Sequence, residues 1–401
     1  MDIKEQIRRL STEYLDEVTR IRRHIHARPE LAFNEYQTSA FIAAKLEEYG
    51  IPYTKGVAKT GIVGLIEGKN PSKISIALRA DMDALPIHEI SDAAYISLNN
   101  GVMHACGHDA HIASLLGTAK ILCQLKTSFE GSVKLIFQPS EEKFPGGASV
   151  MIKEGVLENP APAVIIGQHV LPTLDTGKIG IKCGKYMAST DEIYITIIGK
   201  GGHAATPELI IDPILIASHI IVALQQIVSR KATPSIPTVL SFGRFIADGR
   251  TNIIPDEVII EGTFRTFNEE WREKAHQLIS EMSSTIAESM GAKCSIRIDK
   301  GYPFLVNNES LTTEIKHYAE EYLGTENVID LEMRMTAEDF AYYSQIIPAC
   351  FYRSGTRNVS TGDVTNLHTN NFDIDETSLE TSMGVMAWVA MKILLQKDLS
   401  H

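Results

Sequence analysis

The sequence has few cysteines, and they are scattered along the chain. Among 401 residues there are five, namely Cys106, Cys123, Cys183, Cys294 and Cys350. An odd, dispersed set is not the evenly paired framework of a small secreted disulfide-rich protein. The amino terminus also lacks the apolar core and the small-residue cleavage site of a secretory signal. Both absences favour a reducing, cytoplasmic location.

The chain also lacks an excess of positive charge and long apolar runs. Its 38 Lys+Arg against 50 Asp+Glu give a net charge of -12, without the basic patch that binding to a phosphate backbone requires. No uninterrupted apolar run approaches the roughly 18 residues that a membrane span needs. We therefore expect neither nucleic acid nor a membrane as a partner.

What is present is a globular composition, 44% hydrophobic and 22% charged, in a chain long enough for two domains. In the first part of the chain, short apolar β-branched runs alternate with helical periodicity. The runs at 74–80, 132–138 and 163–170 resemble strands that are buried on both faces, and 110–125 has apolar residues at helical spacing. The pattern predicts an α/β fold with a mixed, mostly parallel sheet flanked by helices.

Residues 185–299 follow a different pattern. Strand-like and helix-like segments occur there in the order β-α-β-β-α-β of a ferredoxin-like α+β unit. We therefore predict a first domain from 1–184 and 300–401, with 185–299 inserted as a second domain. The inserted helix at 213–228 is more apolar than one sheet face needs. It predicts either a subunit interface or complete burial against its own strands.

Side chains that bind metals concentrate just after predicted strands, where open α/β sheets place their sites. The segments are RADMD at 79–83, MHACGHDAH at 103–111, QPSEE at 138–142, QH at 168–169 and LHTN at 367–370. Taken singly, Asp-x-Asp is typical of a turn, a strand-end histidine of an ordinary polar contact, and a Glu pair of a solvated surface. Cys106 and His108, two residues apart, suit one divalent metal. The joint placement predicts a metal centre.

Five ordered motifs resemble one known family: RADMDALP, HACGHDAH, QPSEE, a strand ending in histidine, and LHTNNF. The family is the N-acyl-amino-acid amidohydrolase branch of the aminoacylase and carboxypeptidase-G metallopeptidase superfamily, which includes hippurate hydrolase, indole-acetyl-amino-acid hydrolases and N-acetyl-diaminopimelate deacetylase. The resemblance covers nearly the whole chain, including GGHAATP at 201–207 and TNIIP at 251–255. The sequence departs from the family pattern at Gln168, at 143–145 and at 335–340. The resemblance therefore does not define the pockets for the acyl group and the amino-acid side chain.

The resemblance implies two divalent metal ions per subunit, with Zn, Mn, Ni and Co all open. The implied metal ligands are Cys106 as the bridge, Glu142 and His368 in one site, and His108 and His169 in the other. It also implies that Glu141 is the general base, which takes a proton from water. Asp83 is expected to orient a ligand from outside the metal shell. Asp81 occupies a position at which sister branches have a histidine ligand.

The inserted domain supplies further candidates by the same resemblance. His203 is expected to stabilise the oxyanion, from its own subunit or from a partner's. Without the family match it reads as a solvated loop histidine. Asn252 and Arg265 are expected to hold the substrate carboxylate, because an arginine fork can meet a carboxylate bidentately. The alternative for Arg265 is a strand-surface ion pair.

The resemblance implies hydrolysis of the amide bond of small-molecule N-acyl-L-amino acids. The apolar helix at 213–228 predicts a homodimer joined through its inserted lid domains. A metallo-exopeptidase or dipeptidase with the same metal centre is the nearest alternative, although the peptidase branches have Asp at the bridging position. A cysteine hydrolase with Cys106 as nucleophile leaves the other predicted ligands unexplained. A non-enzymatic metal-binding protein would have no need of Glu141.

Overall fold

Helices and strands alternate along the chain in this computed structural model, which describes residues 2–362 and 364–396. The α-helices within those ranges are α1 (Ile3–His26), α2 (Tyr36–Glu48), α3 (His108–Gln124), α4 (Gly147–Lys153), α5 (Pro213–Gln226), α6 (Glu269–Ser289), α7 (Glu309–Leu323), α8 (Ala341–Ser344) and α9 (Ser378–Leu395). The strands are β1 (Tyr53–Val57), β2 (Gly61–Glu67), β3 (Ser75–Asp81), β4 (Ser132–Gln138), β5 (Val164–Asp175), β6 (Ile179–Ile181), β7 (Gly184–Met187), β8 (Asp191–Ile198), β9 (Gly202–His203), β10 (Thr238–Ile246), β11 (Ile253–Ile254), β12 (Glu257–Thr266), β13 (Lys293–Lys300), β14 (Leu305–Asn307), β15 (Val328–Asp330) and β16 (Ala349–Arg357).

The chain divides into two compact units. The first draws on Met1–Gly184, Val306–Glu332 and Asp339–His401, and the second on Lys185–Leu305 and Met333–Glu338. The predicted return to the first domain at residue 300 therefore comes too early. Backbone hydrogen bonds join Gly301 and Tyr302 to Thr190, so the segment after β13 stays attached to the strand at the start of the second unit.

The first unit contains an eight-stranded mixed sheet in the order β1-β2-β4-β3-β5-β16-β6-β15. Its four middle neighbours, β4, β3, β5 and β16, run parallel to one another. Strands β3 and β4 are buried along their whole length, which explains their continuous apolar runs, since parallel strands are covered on both faces. The predicted α/β fold with a mostly parallel sheet is confirmed.

Two helical segments of the described residues are long and strongly apolar. Pro213–Lys231 and Ser378–Leu395 are long and apolar enough to cross a membrane by length and composition, with 33% and 78% of their apolar windows buried. Scattered polar residues interrupt both segments, so neither is an uninterrupted apolar run of about 18 residues, the length that a membrane span needs. Helix α9 packs against α1, α3 and α7, as a core helix of the first unit does.

The second unit contains a four-stranded antiparallel sheet in the order β10-β12-β8-β13. Helix α5 begins where predicted, because Asp212 accepts hydrogen bonds from the first backbone N–H groups of the helix and Pro213 suits its first position. The helix buries Ile216, Ile220 and Leu224, whereas Leu215 and Val222 are 51% and 73% exposed. Complete burial of this helix is therefore wrong.

Candidate metal centre

The predicted ligand segments lie at one edge of the large sheet. Because β3, β4, β5 and β16 are parallel neighbours, their carboxyl ends meet there, at the edge where such sheets place their sites. Asp83 follows β3, the Glu141–Glu142 pair follows β4, and the loop with His368 follows β16. His169 lies inside β5 and not at its end, because β5 continues to Asp175.

The Cys106–His108 segment depends on the glycine between its two ends. Gly107 has φ +81°, and a Cβ at this position would lie 2.6 Å from Cγ2 of Val170. Only glycine adopts this conformation readily and also permits so close an approach. His108 is then the first residue of α3. The motif HACGH therefore places a thiol and an imidazole against β5.

The start of α3 is anchored from α1. Arg22 Nε donates to Asp109 Oδ2 at 2.7 Å, and His26 Nδ1 lies 2.7 Å from the same oxygen. All three side chains are buried. Burial raises the pKa of the Asp109 carboxyl, but the charges of Arg22 and His26 outweigh this effect and hold it below its ordinary value. Asp109 is therefore an anionic anchor next to the candidate ligand His108.

Two groups of candidate ligands share one cysteine. Cys106, His108 and His169 have ligand atoms that all lie within 4.8 Å of one another, and so do Cys106, Glu142 and His368. Their membership is the same as that of the two ligand sets that the family resemblance implies. His108, Glu141 and Glu142 form a further group within the same limit.

The tautomer of His169 leaves one nitrogen for a ligand bond. Its Nδ1 lies 2.8 Å from the carbonyl oxygen of Val170, and because a carbonyl can only accept, Nδ1 carries the proton. Nε2 is then unprotonated and lies 3.4 Å from Cys106 Sγ. Burial, followed by the charge of Arg353, lowers the pKa of His169 well below its ordinary value. A neutral imidazole with its other nitrogen anchored is the usual form of a metal ligand.

His108 supplies the observation that tests whether a cation fits this edge. The side chain is fully buried, yet neither ring nitrogen makes a hydrogen bond within the described residues. Nδ1 comes within 3.3 Å of Asp83 Oδ1 but not in hydrogen-bonding geometry. A buried polar atom without a partner is costly. Imidazole, thiol and carboxylate donors together suit zinc and the neighbouring transition metals better than magnesium or calcium, so the residues fit a metal.

The electrostatics of the protein groups also favour a cation here. Burial lowers the pKa of His108, but the Asp81 and Asp83 carboxylates outweigh burial and raise it to about 10. Burial and the nearby Glu142 and Glu141 raise the pKa of the Cys106 thiol well above its ordinary value. This edge therefore has an excess of negative charge, and Cys106 would ionise readily only beside a positive charge.

Asp83 holds the backbone of the glutamate pair. Its Oδ1 accepts from the backbone N–H of Glu141 and its Oδ2 from that of Glu142, each at 2.9 Å. The Glu141 side chain is buried, and its Oε1 accepts from the backbone N–H of Asp339 at 3.3 Å. Glu141 is therefore part of the interior of the first unit, and Glu142 beside it is half-buried, so the pair is not a solvated surface.

The sequence reading gave no role to His111, Asp339 or Arg79. His111 contacts Asp81 and the backbone of Val170, and Arg79 contacts Asp81 and Asp339. His111 and Arg79 belong to quoted motifs, but Asp339 is 260 residues from Arg79 along the chain. Nothing in a single sequence pairs such distant residues.

The second unit brings together two of its three predicted residues. His203 in β9 is opposite Ile253 in β11, and the backbone N–H of Ala204 donates to the Asn252 carbonyl at 3.1 Å. His203 Nδ1 accepts from the backbone N–H of Ala205 at 3.0 Å. In the neutral ring the proton is then on Nε2, and the exposed imidazole presents an N–H donor.

Arg265 lies apart from this pair, in β12. Its Nη1 donates to the carbonyl of Met335 at 3.0 Å, and burial lowers its pKa. Within the described part of the chain, no carboxylate oxygen lies within 4.0 Å of its guanidinium nitrogens, so the alternative of a strand-surface ion pair is wrong.

Comparisons with known proteins agree with this architecture. The chain matches the family model described as Peptidase family M20/M25/M40 over residues 77–392. It is 44% identical over 304 residues to the N-acyl-L-amino acid amidohydrolase of Geobacillus stearothermophilus, which covers 76% of this chain and 81% of that protein. It is 38% identical over 395 residues to Thermostable carboxypeptidase 2 of Saccharolobus solfataricus, over 98% of this chain and 99% of that protein.

A solved structure extends the similarity to three dimensions. The YXEP protein of Bacillus subtilis, described as a dinuclear metal binding peptidase from the M20 family, is 34% identical and has a TM-score of 0.82, over 96% of this chain and 99% of that chain. The family resemblance of the five motifs is thus confirmed. Matches of this extent in sequence and fold show that the chain is an enzyme of the peptidase family M20/M25/M40.

Proposed function

We propose that this enzyme hydrolyses the amide bond of N-acyl-L-amino acids, with two divalent metal ions and with Glu141 as general base. The observation that carries the proposal is the pair of ligand groups that share Cys106, next to a buried Glu141 that belongs to neither. The identity to the amidohydrolase of Geobacillus stearothermophilus supports the class of substrate.

The metal ions would be held by residues of the first unit. Cys106 would bridge them, with His108 and His169 at one ion and Glu142 and His368 at the other. When bound, such ions polarise a carbonyl group and make water a better nucleophile. The shared thiol, the unprotonated Nε2 of His169 and the absence of hydrogen bonds to both ring nitrogens of His108 within the described residues support this assignment. Zn, Mn, Ni and Co remain the candidate metals.

Glu141 would move the proton. Its carboxylate takes a proton from the attacking water as the new C–O bond forms, and passes it to the amide nitrogen as the C–N bond breaks. The products are a carboxylate and a free amino acid. Asp83 and the Asp339 backbone hold Glu141 in place, so the group is positioned before substrate binds, which general-base catalysis needs.

The second unit would contribute substrate contacts. We assign His203 to the developing oxyanion because its Nε2–H is an outward donor, and donors of this kind stabilise the charge that forms during acyl transfer. We assign Asn252 and Arg265 to the free carboxylate of the substrate. The carbonyl of Asn252 accepts from the backbone N–H of Ala204, next to His203. The Met335 carbonyl occupies one nitrogen of the Arg265 fork, which leaves other donors for a carboxylate.

Subunit assembly and location belong to the same proposal. The exposed side chains of Leu215 and Val222 on α5 form an apolar stripe of the kind that pairs subunits, and we propose a homodimer joined through the second units. His203 could then act in its own subunit or in its partner's. All five cysteines are free, in keeping with the cytoplasmic location that we propose.

Two other activities have specific support. Identity to a carboxypeptidase over almost the whole chain favours a peptidase with the same metal centre. The 3.4 Å contact between Cys106 Sγ and His169 Nε2 has the chemistry of a cysteine–histidine nucleophile pair. The raised pKa of the Cys106 thiol opposes the second, because reactive cysteines have lowered values.

One hydrolysis screen tests the three activities together. The purified enzyme is stripped with a chelator, reloaded separately with Zn, Mn, Ni and Co, and assayed on acetyl, benzoyl and longer acyl amino acids and on dipeptides. We expect chelator-sensitive release of amino acids from the acyl substrates. Faster turnover of dipeptides would transfer the assignment to the peptidase class, and full activity after removal of metal would favour the cysteine nucleophile.

A further inference from the structure

A buried histidine next to the candidate ligands has a use for both of its nitrogens. The backbone N–H of Val170 donates to His111 Nε2 at 2.9 Å. An N–H group can only donate, so Nε2 is unprotonated and Nδ1 carries the proton. Nδ1 then donates to Asp81 Oδ1, which lies 2.5 Å away. His111 shares a possible metal group with Asp81 and His108, but to bind a metal it would have to give up one of these bonds.

The backbone of Val170 links His111 to the candidate ligand His169, which precedes Val170 in the chain. The carbonyl of Val170 accepts the proton of His169 Nδ1 at 2.8 Å, while the N–H of the same residue is held by His111. The position of one backbone unit therefore determines which nitrogen of His169 is free and where the ring points. A metal-binding histidine commonly depends on such an outer partner for its tautomer and orientation.

The buried guanidinium of Arg79 connects the Asp81–His111 pair to Glu141. Arg79 Nη1 donates to Asp81 Oδ2 at 2.7 Å, and its Nη2 donates to Asp339 Oδ1 at 2.8 Å. The backbone N–H of Asp339 donates to Glu141 Oε1 at 3.3 Å. From one side chain, contacts thus run through Asp81 and His111 toward His169, and through Asp339 to Glu141. All of these residues belong to the first unit.

We propose that His111 is a positioning residue for the metal centre: it fixes the Val170 backbone and, through it, the metal-binding tautomer of His169. Arg79 holds the Asp81–His111 pair in position relative to Glu141. The inference rests on the proposed function, because it takes His169 as a ligand. It adds a residue that touches neither metal nor substrate. Its contribution depends on the acceptor at Nε2, and the donor at Nδ1 serves to keep Nε2 unprotonated.

Two substitutions separate the two nitrogens. The side-chain amide of His111→Asn occupies the region of Nδ1 and can still donate to Asp81, but it leaves the Val170 N–H without an acceptor. The longer amide of His111→Gln reaches the region of Nε2 and can still accept from Val170. We measure the dissociation constants of Zn²⁺ and Co²⁺ by chelator competition, the visible spectrum of the Co²⁺ form, and thermal unfolding.

His111→Asn is expected to weaken the binding of one of the two ions about 10–100-fold, as loss of an outer-shell partner typically does, and to change the Co²⁺ spectrum. His111→Gln should stay close to the wild type. His276→Asn is the matched control, because His276 Nε2 lies 2.8 Å from Asp191 Oδ2 in the second unit, and this change should leave metal binding unaltered.

Several results would overturn the proposal. They are wild-type metal affinity in a folded His111→Asn protein, a fall in metal affinity in folded His111→Gln as large as that expected for His111→Asn, or an equal fall in metal affinity in His276→Asn. The Gln variant keeps the test decisive if Asn does not fold. His169→Ala separates a failure of the proposed ligand set from a failure of this inference. Retention of both ions in His169→Ala would contradict the ligand set itself. Loss of metal in His169→Ala, with no loss of metal in His111→Asn, would contradict only this inference.

Discussion

Apart from Arg22, His26 and Asp109 at the start of α3, each unit of the molecule contains an Arg–Asp–His trio around a buried aspartate, and these two trios have different surroundings. In the first unit, Arg79 and His111 both contact Asp81. In the second, Arg272 Nε donates to Asp191 Oδ2 at 2.9 Å, and His276 Nε2 lies 2.8 Å from the same oxygen. Each aspartate is fully buried and accepts from both of its partners. The residue types alone do not distinguish the two trios.

What distinguishes them is the next contact. Arg272 also donates to the carbonyls of Thr190 and Gly301, at 3.1 and 3.0 Å, and thereby joins the start of β8 to the end of β13. In the first unit, the second nitrogen of His111 meets the backbone beside His169. Within residues 2–362 and 364–396, no group of three candidate metal ligands includes Asp191 or His276. The second trio therefore stabilises a fold, and the first positions a site.

The largest effect on activity should come from Glu141→Gln. The glutamine keeps the size of the side chain and an oxygen that can accept from Asp339, but it cannot take a proton from water. We expect kcat to fall on the order of 10²–10⁴-fold, with both ions still bound. Steady-state kinetics and elemental analysis of the same sample measure the two quantities. Near-normal kcat in a metal-loaded variant would remove Glu141 from its role.

The two trios can be compared directly through their arginines. Arg272→Met leaves Asp191 buried without its main partner, and such a loss typically costs about 3–5 kcal/mol of the free energy of unfolding. Metal content and dissociation constants should not change. Arg79→Met should instead lower stability and metal affinity together. Urea unfolding and chelator competition measure both, and loss of metal from Arg272→Met at full folding would erase the distinction between the trios.

His203→Ala should lower kcat by about 10²–10³-fold, the usual effect of removing one oxyanion donor, and should leave the ions bound. His203 is exposed and makes one side-chain hydrogen bond to the backbone N–H of Ala205, so stability should change little. Kinetics with calorimetry measure the two effects. A large loss of stability would indicate that His203 has a structural role in the second unit.

A mixture of two inactive proteins decides which subunit uses His203. His203→Ala and Glu141→Gln are combined under conditions of subunit exchange, and each variant mixed with itself is the control. Recovery of activity is expected if His203 acts across the dimer, because one hybrid site then has both groups. No recovery in a demonstrated heterodimer would assign His203 to its own subunit, and a monomer at working concentration would contradict the proposed assembly.

Much of the architecture could be predicted because local chemistry specifies it. β4 was predicted at its observed limits, since its residues are apolar enough for a strand buried on both faces. The start of α5 followed from Asp212 and Pro213. The end of the second unit could not be predicted in the same way. Backbone hydrogen bonds join Thr190 to a segment more than a hundred residues away, since Gly301 donates to the Thr190 carbonyl and Thr190 donates to the Tyr302 carbonyl.

The candidate site also has parts that local sequence specifies and parts that depend on contacts between distant residues. The ligand candidates stand in compact motifs with recognisable metal-binding chemistry, so sequence and resemblance could name them. The bonds that orient these side chains involve partners far apart, such as His111 with Asp81, 30 residues away, and Asp83 with Glu141, 58 residues away. Backbone groups are also partners, and a backbone N–H or carbonyl has no signature in a sequence. The tautomer of His169 depends on one of them.

The smallest predicted effect is a difference in acid stability that comes from the second trio. Burial raises the pKa of the Asp191 carboxyl, but hydrogen bonds and charges from His276 and Arg272 outweigh burial and lower the value below the ordinary one. On acidification the unfolded chain therefore binds a proton at this position before the folded chain does. The contribution of Asp191 is complete above the ordinary carboxyl pKa of about 3.9 and is lost as the pH falls below it.

Asp191→Asn tests this contribution, because the amide has no carboxyl to titrate. Between about pH 5 and about pH 3 the free energy of unfolding of the wild type should fall more steeply than that of the variant. Urea unfolding at a series of pH values, followed by the fluorescence of Trp271 at the start of α6 in a protein whose second tryptophan, Trp388, is replaced by Phe, reports on the second unit. Parallel slopes for the two proteins would show that Asp191 binds its proton equally in both states, and the second trio would then stabilise the fold through its geometry and not through the charge of its carboxylate.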